Sequence, residues 1–174
     1  MRKLIILISI FSALSLPAAA AERKPSERDP IVVSPEALAP PPTPIPANIG
    51  RTFVALHSTL VGQGGMKYLN FSGALSIHNT SASDPLVIEK IDYRDGAGHI
   101  VESYVTKPLA LQPFASLQVL IAQDDVRGGT GASFTVDWAI AGNEEEPVIE
   151  ALMTATAGTQ GFSFLSQGRR LARR

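Results

Sequence analysis

The sequence predicts an all-β protein, an antiparallel β-sandwich of immunoglobulin-like type, with a small β-barrel or jelly roll as the alternative. Three observations lead there. Beyond residue 50, short apolar runs recur at spacings of roughly ten residues, each bounded by glycine, proline, asparagine or aspartate. No run keeps a helical period long enough to cross over a parallel sheet. The most regular segment alternates strictly, with Phe134, Val136, Trp138 and Ile140 on one face and Ser133, Thr135, Asp137 and Ala139 on the other. The only tryptophan falls on the apolar face, where a sandwich core would bury it.

The chain opens with Met1-Arg2-Lys3, an apolar run over residues 4–16, Pro17 and Ala18-Ala19-Ala20-Ala21. A charged start, a short apolar stretch and small residues before a cleavage point make a secretory signal peptide over residues 1–21. The run is too short for a permanent anchor, which needs about 18 apolar residues. The expected location is the periplasm, with secretion as the alternative, and no stable membrane anchor after cleavage. Residues 22–48 carry eight prolines, at 25, 30, 35, 40, 41, 42, 44 and 46. Proline fixes φ and donates no hydrogen bond, so residues 22–49 are expected to be a disordered, polyproline-like spacer that joins no ladder.

Residues 52–60 read as a first strand, ended by Gly62-Gln63-Gly64-Gly65, and residues 68–78 as a second, with Leu69, Phe71, Leu75 and Ile77 on one face. After a loop at 79–85, residues 86–94 form a third strand in which the alternation slips. Leu86 and Ile88 share one parity, whereas Ile91 and Tyr93 share the other. An extra residue near Glu89-Lys90, a β-bulge, puts all four on one face. Asp95-Gly96-Ala97-Gly98 makes a hairpin turn into a strand over 99–104, and Pro108 and Pro113 bracket a connector. Strands follow at 116–121, 133–140, 148–156 and 162–166. The sandwich domain is expected over residues 50–168, with a basic, solvated tail at 169–174 that contains Arg169, Arg170, Arg173 and Arg174.

With 174 residues the chain has room for one core. There is no cysteine, hence no disulfide, thiolate metal site or lipidated cysteine. The formal charge is -1, and losing Arg2 and Lys3 with the leader makes it -3, the wrong balance for a phosphate backbone. Nucleic acid is therefore not an expected partner.

The segments Gly73-Ala74-Leu75-Ser76-Ile77-His78-Asn79-Thr80, Ile91-Asp92-Tyr93, Gly128-Gly129-Thr130-Gly131-Ala132-Ser133-Phe134 with Trp138, Pro147-Val148-Ile149-Glu150-Ala151, and Gln160-Gly161-Phe162-Ser163-Phe164 with Arg169 occur in this order. Together they resemble domain of unknown function 3124, a family of bacterial exported proteins. The resemblance covers most of the chain from Asn70 on, and the proline-rich stretch lies outside it. It implies an exported β-domain and brings no assigned activity, cofactor or catalytic residue.

Asp124, Asp125 and Arg127, at the mouth of the glycine loop 128–131, form the first candidate binding site. Adjacent carboxylates beside turn carbonyls suit a hard cation, and free glycine N–H groups beside an arginine suit an anion. Consecutive aspartates lack the alternate spacing of a calcium loop, no lysine and serine follow as in a phosphate loop, and a tight turn needing positive φ is the readier explanation of the glycines. A second candidate is Asp137 with Glu150. Both point outward by parity on strands joined by an acidic turn, where a carboxylate pair could serve glycoside cleavage or lie on a solvated face. His57, His78 and His99 lack the short-range ligand pairs of zinc sites, and no Gly-x-Ser-x-Gly elbow is present.

No metal or cofactor is implied. The expected function is a non-catalytic binding or accessory module of the cell envelope, with an envelope protein or glycan as partner. A periplasmic hydrolase using surface carboxylates, or a metal-binding module, is the alternative.

Overall fold

A computed structural model describes residues 29–141, 145–157 and 159–172. The signal peptide expected over 1–21 and the start of the proline-rich stretch lie outside these residues. Fourteen strands run through the described chain: β1 (Ile31–Val32), β2 (Leu38–Ala39), β3 (Asn48–Ala55), β4 (Thr59–Gly62), β5 (Lys67–Asn70), β6 (Ser72–His78), β7 (Leu86–Arg94), β8 (Ile100–Val105), β9 (Leu109–Leu111), β10 (Ser116–Ile121), β11 (Ser133–Ile140), β12 (Val148–Ala157), β13 (Gln160–Gln167) and β14 (Arg169–Arg170). One sheet has the order β1-β10-β6-β12-β13 and the other β14-β3-β11-β7-β9-β2, with β8 beside β9 on the same edge of β7. The strands β4 and β5 form a separate hairpin. All pairings are antiparallel and both large sheets are open, so the protein is a sandwich and no barrel closes.

The core is where the inner faces meet. Phe134, Val136 and Trp138 of β11, with Ile88, Ile91 and Tyr93 of β7, pack against Leu75 and Ile77 of β6, Leu117 and Val119 of β10, and Ala151 and Met153 of β12. The bulge lies where the slipped alternation puts it. Lys90 pairs with Asp137 and Ile88 with Trp138, so Glu89 is the residue without a counterpart. That extra residue turns Leu86, Ile88, Ile91 and Tyr93 all into the core.

Several boundaries differ from the sequence reading. The first strand stops at Ala55, and the second is cut at Phe71, whose N–H donates to the Ser58 carbonyl. The chain there follows the glycine loop, with Leu56 N–H on Ala132 O and Ser58 N–H on Gly129 O. The connector between Pro108 and Pro113 holds a three-residue strand, β9.

The proline-rich stretch is no free spacer from residue 29 on. Ile31–Val32 pairs with β10, Leu38–Ala39 with β9, and Asn48 and Ile49 belong to β3. Prolines sit between these short bridges, where no ladder N–H is needed. Val87, Ala110 and Ala139 are wholly buried on the outer face of the larger sheet, clustered with Ala39. Such a row needs a cover, and residues 40–47 must pass β9, β7 and β11 to reach β3 from β2.

The basic tail is likewise anchored as far as described. Arg169 and Arg170 pair with Phe53 and Thr52, Leu171 N–H donates to Arg51 O, and Arg170 ion-pairs with Glu146. Its guanidinium lies 5.0 Å from the centroid of the Trp138 ring. Arg173 and Arg174 lie outside the described residues.

Candidate functional site

A cleft of about 820 Å3 opens at one end of the sandwich, between the strand β8 and the turn that follows β10. Its acidic wall combines Glu102 and Tyr104 from β8 with Asp124, Asp125 and Arg127 from the turn. Gly73 and Ala74 of β6, Leu120 of β10 and Leu152 of β12 form the less polar floor, and Asp29 stands at the rim.

Local hydrogen bonds explain the turn. Asp125 N–H donates to Ala122 O at 3.0 Å and Val126 N–H to Asp124 O at 3.1 Å, which folds the two aspartates back on themselves. The Asp125 carboxylate then receives Arg127 Nε at 2.9 Å and Nη2 at 2.7 Å, a two-pronged pair, and the same Nη2 donates to Glu102 Oε2 at 2.7 Å. The hydrogen bond from Arg127 outweighs burial and holds the Asp125 carboxyl below its usual range. The two carboxylates raise the Arg127 guanidinium in turn, Asp125 before Glu102. Burial pushes the Tyr104 hydroxyl well above the ordinary tyrosine range, with the neighbouring Glu102 charge adding to it. The Tyr104 ring leans on Phe134 at 6.2 Å, which ties this wall to the core.

The glycine loop is the tight turn with a positive φ that the sequence suggests, and it is also a packing device. Gly128 lies directly under the buried Tyr93 hydroxyl, where a Cβ would overlap the phenol oxygen. Gly129 has φ +66 and its N–H is already given to Val126 O at 3.1 Å, so it offers nothing to an anion. Gly131 packs on Gly96 of the β7–β8 turn. In this way it seats Tyr93 and sets the height of the neighbouring acidic turn. The Tyr93 hydroxyl is buried beside the Ser58 side chain and the Gly128 backbone, and burial raises it above the ordinary tyrosine range.

The second candidate pair does not come together. Asp137 lies on the outer face of the larger sheet, where Arg51 Nη2 donates to its Oδ2 at 2.6 Å and Arg51, Glu89 and Leu171 line with it a second cleft of about 800 Å3. Glu150 lies on the other sheet, opposite Ser76 and Gln167. The connection from β11 to β12 crosses between the sheets instead of closing a hairpin, so the two carboxylates face away from each other across the sandwich. The histidines are also scattered. His57 meets Thr130 O, His99 stands by Asp95 in a turn, and His78 lies opposite Ser116 on the smaller sheet. Among the described residues no three His, Cys, Asp or Glu side chains are grouped to hold a metal.

Sequence reasoning found Asp124, Asp125 and Arg127 because they are contiguous. It missed Glu102, Tyr104 and Asp29, which reach the cleft from other segments. The slipped parity of β7 locates its bulge but says nothing of the side chains that β8 brings to the cleft.

A search of curated proteins finds no match. Among solved structures, the crystal structure of Thermotoga maritima 1070 is similar at a TM-score of 0.41 and 12% identity, over 71% of this chain and 95% of that one. A family model described as a protein of unknown function, DUF3124, matches residues 50–171, from the middle of β3 to just past β14. That span is well over half of the chain and holds both inner faces of the sandwich and most of the acidic cleft, and the chain belongs to the DUF3124 family.

Proposed function

We propose that the protein is a non-catalytic binding or accessory module of the bacterial cell envelope, exported to the periplasm by residues 1–21, whose ligand enters the acidic cleft with cationic groups. One observation carries the binding reading: Asp29, Glu102, Asp124 and Asp125 line the cleft against a single guanidinium, Arg127, which is already engaged by Asp125 and Glu102. The remaining negative charge favours a protonated amine over an anion. An amino sugar of an envelope glycan, or a basic segment of an envelope protein, fits that chemistry.

The competing hydrolase reading gains from Asp124 and Asp125 lying in a concave site. Against it, Asp125 is held ionised by its arginine and cannot act as a general acid near neutral pH. Burial keeps the Tyr104 hydroxyl protonated, so it is no ready base or nucleophile.

Calorimetric titration of the chain from residue 22 with a glucosamine oligomer, against its N-acetylated counterpart, tests the reading. The charged oligomer is expected to bind more tightly and to weaken as salt is added. Asp124→Asn is expected to lower its affinity by about two- to five-fold, the range of an exposed ion pair. Equal or absent binding of the two oligomers would remove the cationic-ligand reading. Turnover of ester, glycoside or phosphate substrates that Asp124→Asn abolishes would replace it with the hydrolase.

A further inference from the structure

The smaller sheet ends at β13 (Gln160–Gln167), which pairs only with β12. Exposed strand edges invite pairing with other chains, and folded proteins guard them with short strands, charges or proline. The other edges among the described residues follow that rule. The strands β1, β2 and β14 have two residues each, the hairpin strands β4 and β5 only four each, with Lys67 on β5, and β8 carries Glu102, ion-paired to Arg127. The strand β13 has eight residues, without a charge or a proline. It is also apolar where it is open, with Phe162 43% and Leu165 50% exposed, and Leu165 stands beside Leu152, itself 42% exposed.

We propose that β13 is a homodimerisation edge, at which two copies of the chain pair antiparallel about a two-fold axis through Ser163 and join their smaller sheets into one. The neutrality of the strand points to a second copy and not to a different protein. A two-fold axis opposes the strand to its own sequence run backwards, so the strand must complement itself, and one without a charge asks no opposite sign of its partner. Opposed residues in an antiparallel pair share a face, and an axis normal to the sheet preserves faces, so the axis must pass through a residue. With the axis at Ser163, Phe162 meets Phe164 of the second copy, twice over. Leu165 then lies over Gly161 of the second copy, where no side chain opposes it. An axis at Phe164 would instead oppose Phe162 to Ser166 and Leu165 to Ser163, wasting both apolar side chains on hydroxyls. The Phe164 ring is already fixed by Phe71, 5.2 Å away and edge-on, so it presents a rigid surface to the incoming Phe162.

Sedimentation equilibrium of the chain from residue 22 is expected to show a monomer–dimer equilibrium, and Ser163→Lys to shift it to monomer by setting two ammonium groups across the axis. Ser163 is exposed, so circular dichroism of that variant should match the parent protein, and the two Tm values should coincide at concentrations where the parent is monomeric. Facing Cα atoms in an antiparallel ladder are about 4.5–5.5 Å apart, within disulfide reach. The chain has no other thiol, so Ser163→Cys is expected to give a covalent dimer under mild oxidation, much faster than Ala97→Cys in the exposed β7–β8 turn. A monomer at every concentration, a dimer that survives Ser163→Lys, or equal cross-linking of the two cysteine variants would overturn the proposal.

Discussion

Gly50 has no room for a side chain, because a Cβ there would fall inside the ring of Trp138. The ring cannot easily step aside. Its Nε1 donates to Thr52 Oγ1 at 3.0 Å, Arg170 stacks on it, and it is wholly buried. Gly50→Ala should therefore destabilise the fold by about 1–3 kcal/mol, the cost of overpacking a fixed core. Urea unfolding followed by tryptophan fluorescence checks this cleanly, since Trp138 is the only tryptophan. Asp92 makes the corresponding polar case. Its side chain is 4% exposed, yet Lys90 Nζ at 2.8 Å, Ser103 Oγ at 2.6 Å and Arg94 Nη2 at 3.3 Å all reach it. Burial alone would raise the Asp92 carboxyl, but these hydrogen bonds and charges prevail and hold it below its usual value. A carboxyl depressed in the folded state stabilises the protein above its unfolded value, near about 3.9, and that stability drains away as pH falls through the lower folded value. Asp92→Asn should lower Tm at neutral pH, by the equivalent of about 1–2 kcal/mol. The same substitution should flatten the decline of Tm in acid, and parallel acid slopes for the two proteins would count against a central role for Asp92.

At the scale of elements, what could be read from the sequence is what depends on one strand at a time. Alternation identified the buried face of β11, and the parity slip in β7 placed an extra residue near Glu89-Lys90, where Glu89 is the one without a counterpart, because a one-residue shift moves every following side chain to the opposite face. Which sheet a strand joins depends on its partners, and there parity is silent. Asp137 and Glu150 both point outward as expected, but on different sheets, because the chain between β11 and β12 crosses the sandwich. The same limit shaped the candidate site. Asp124, Asp125 and Arg127 lie in one turn and were legible as a cluster. Glu102 completes their ion-pair set from 25 residues away in β8, a contact that only the packing of β8 along β7 creates. Propensity misled most at the proline-rich stretch. Proline forbids long ladders, but two-residue bridges at Ile31–Val32 and Leu38–Ala39 need few donors and fit between the prolines.

For the whole molecule, that stretch makes the sandwich larger than the family's span of residues 50–171. The strand β1 closes the free edge of β10, Ile31 and Val33 pack against the main core, and the path from β2 to β3 passes the buried outer row of Val87, Ala110 and Ala139. A chain shortened to begin at Asn48 would keep every central strand while losing these three protections. The partly buried Ile31 and Val33 alone contribute about 2 kcal/mol of apolar burial, which for a domain of this size corresponds to a Tm about 4–8 °C lower. Removing β1 would also leave β10 as a second uncharged edge, six residues long. The shortened chain should therefore bind a hydrophobic dye more strongly and aggregate at a lower temperature. Differential scanning calorimetry of the two chains, with dye binding measured alongside, decides the matter. An unchanged Tm would return residues 22–47 to the role of a spacer, and a lowered Tm without added dye binding would mean that the β1 edge matters while the outer row has another cover.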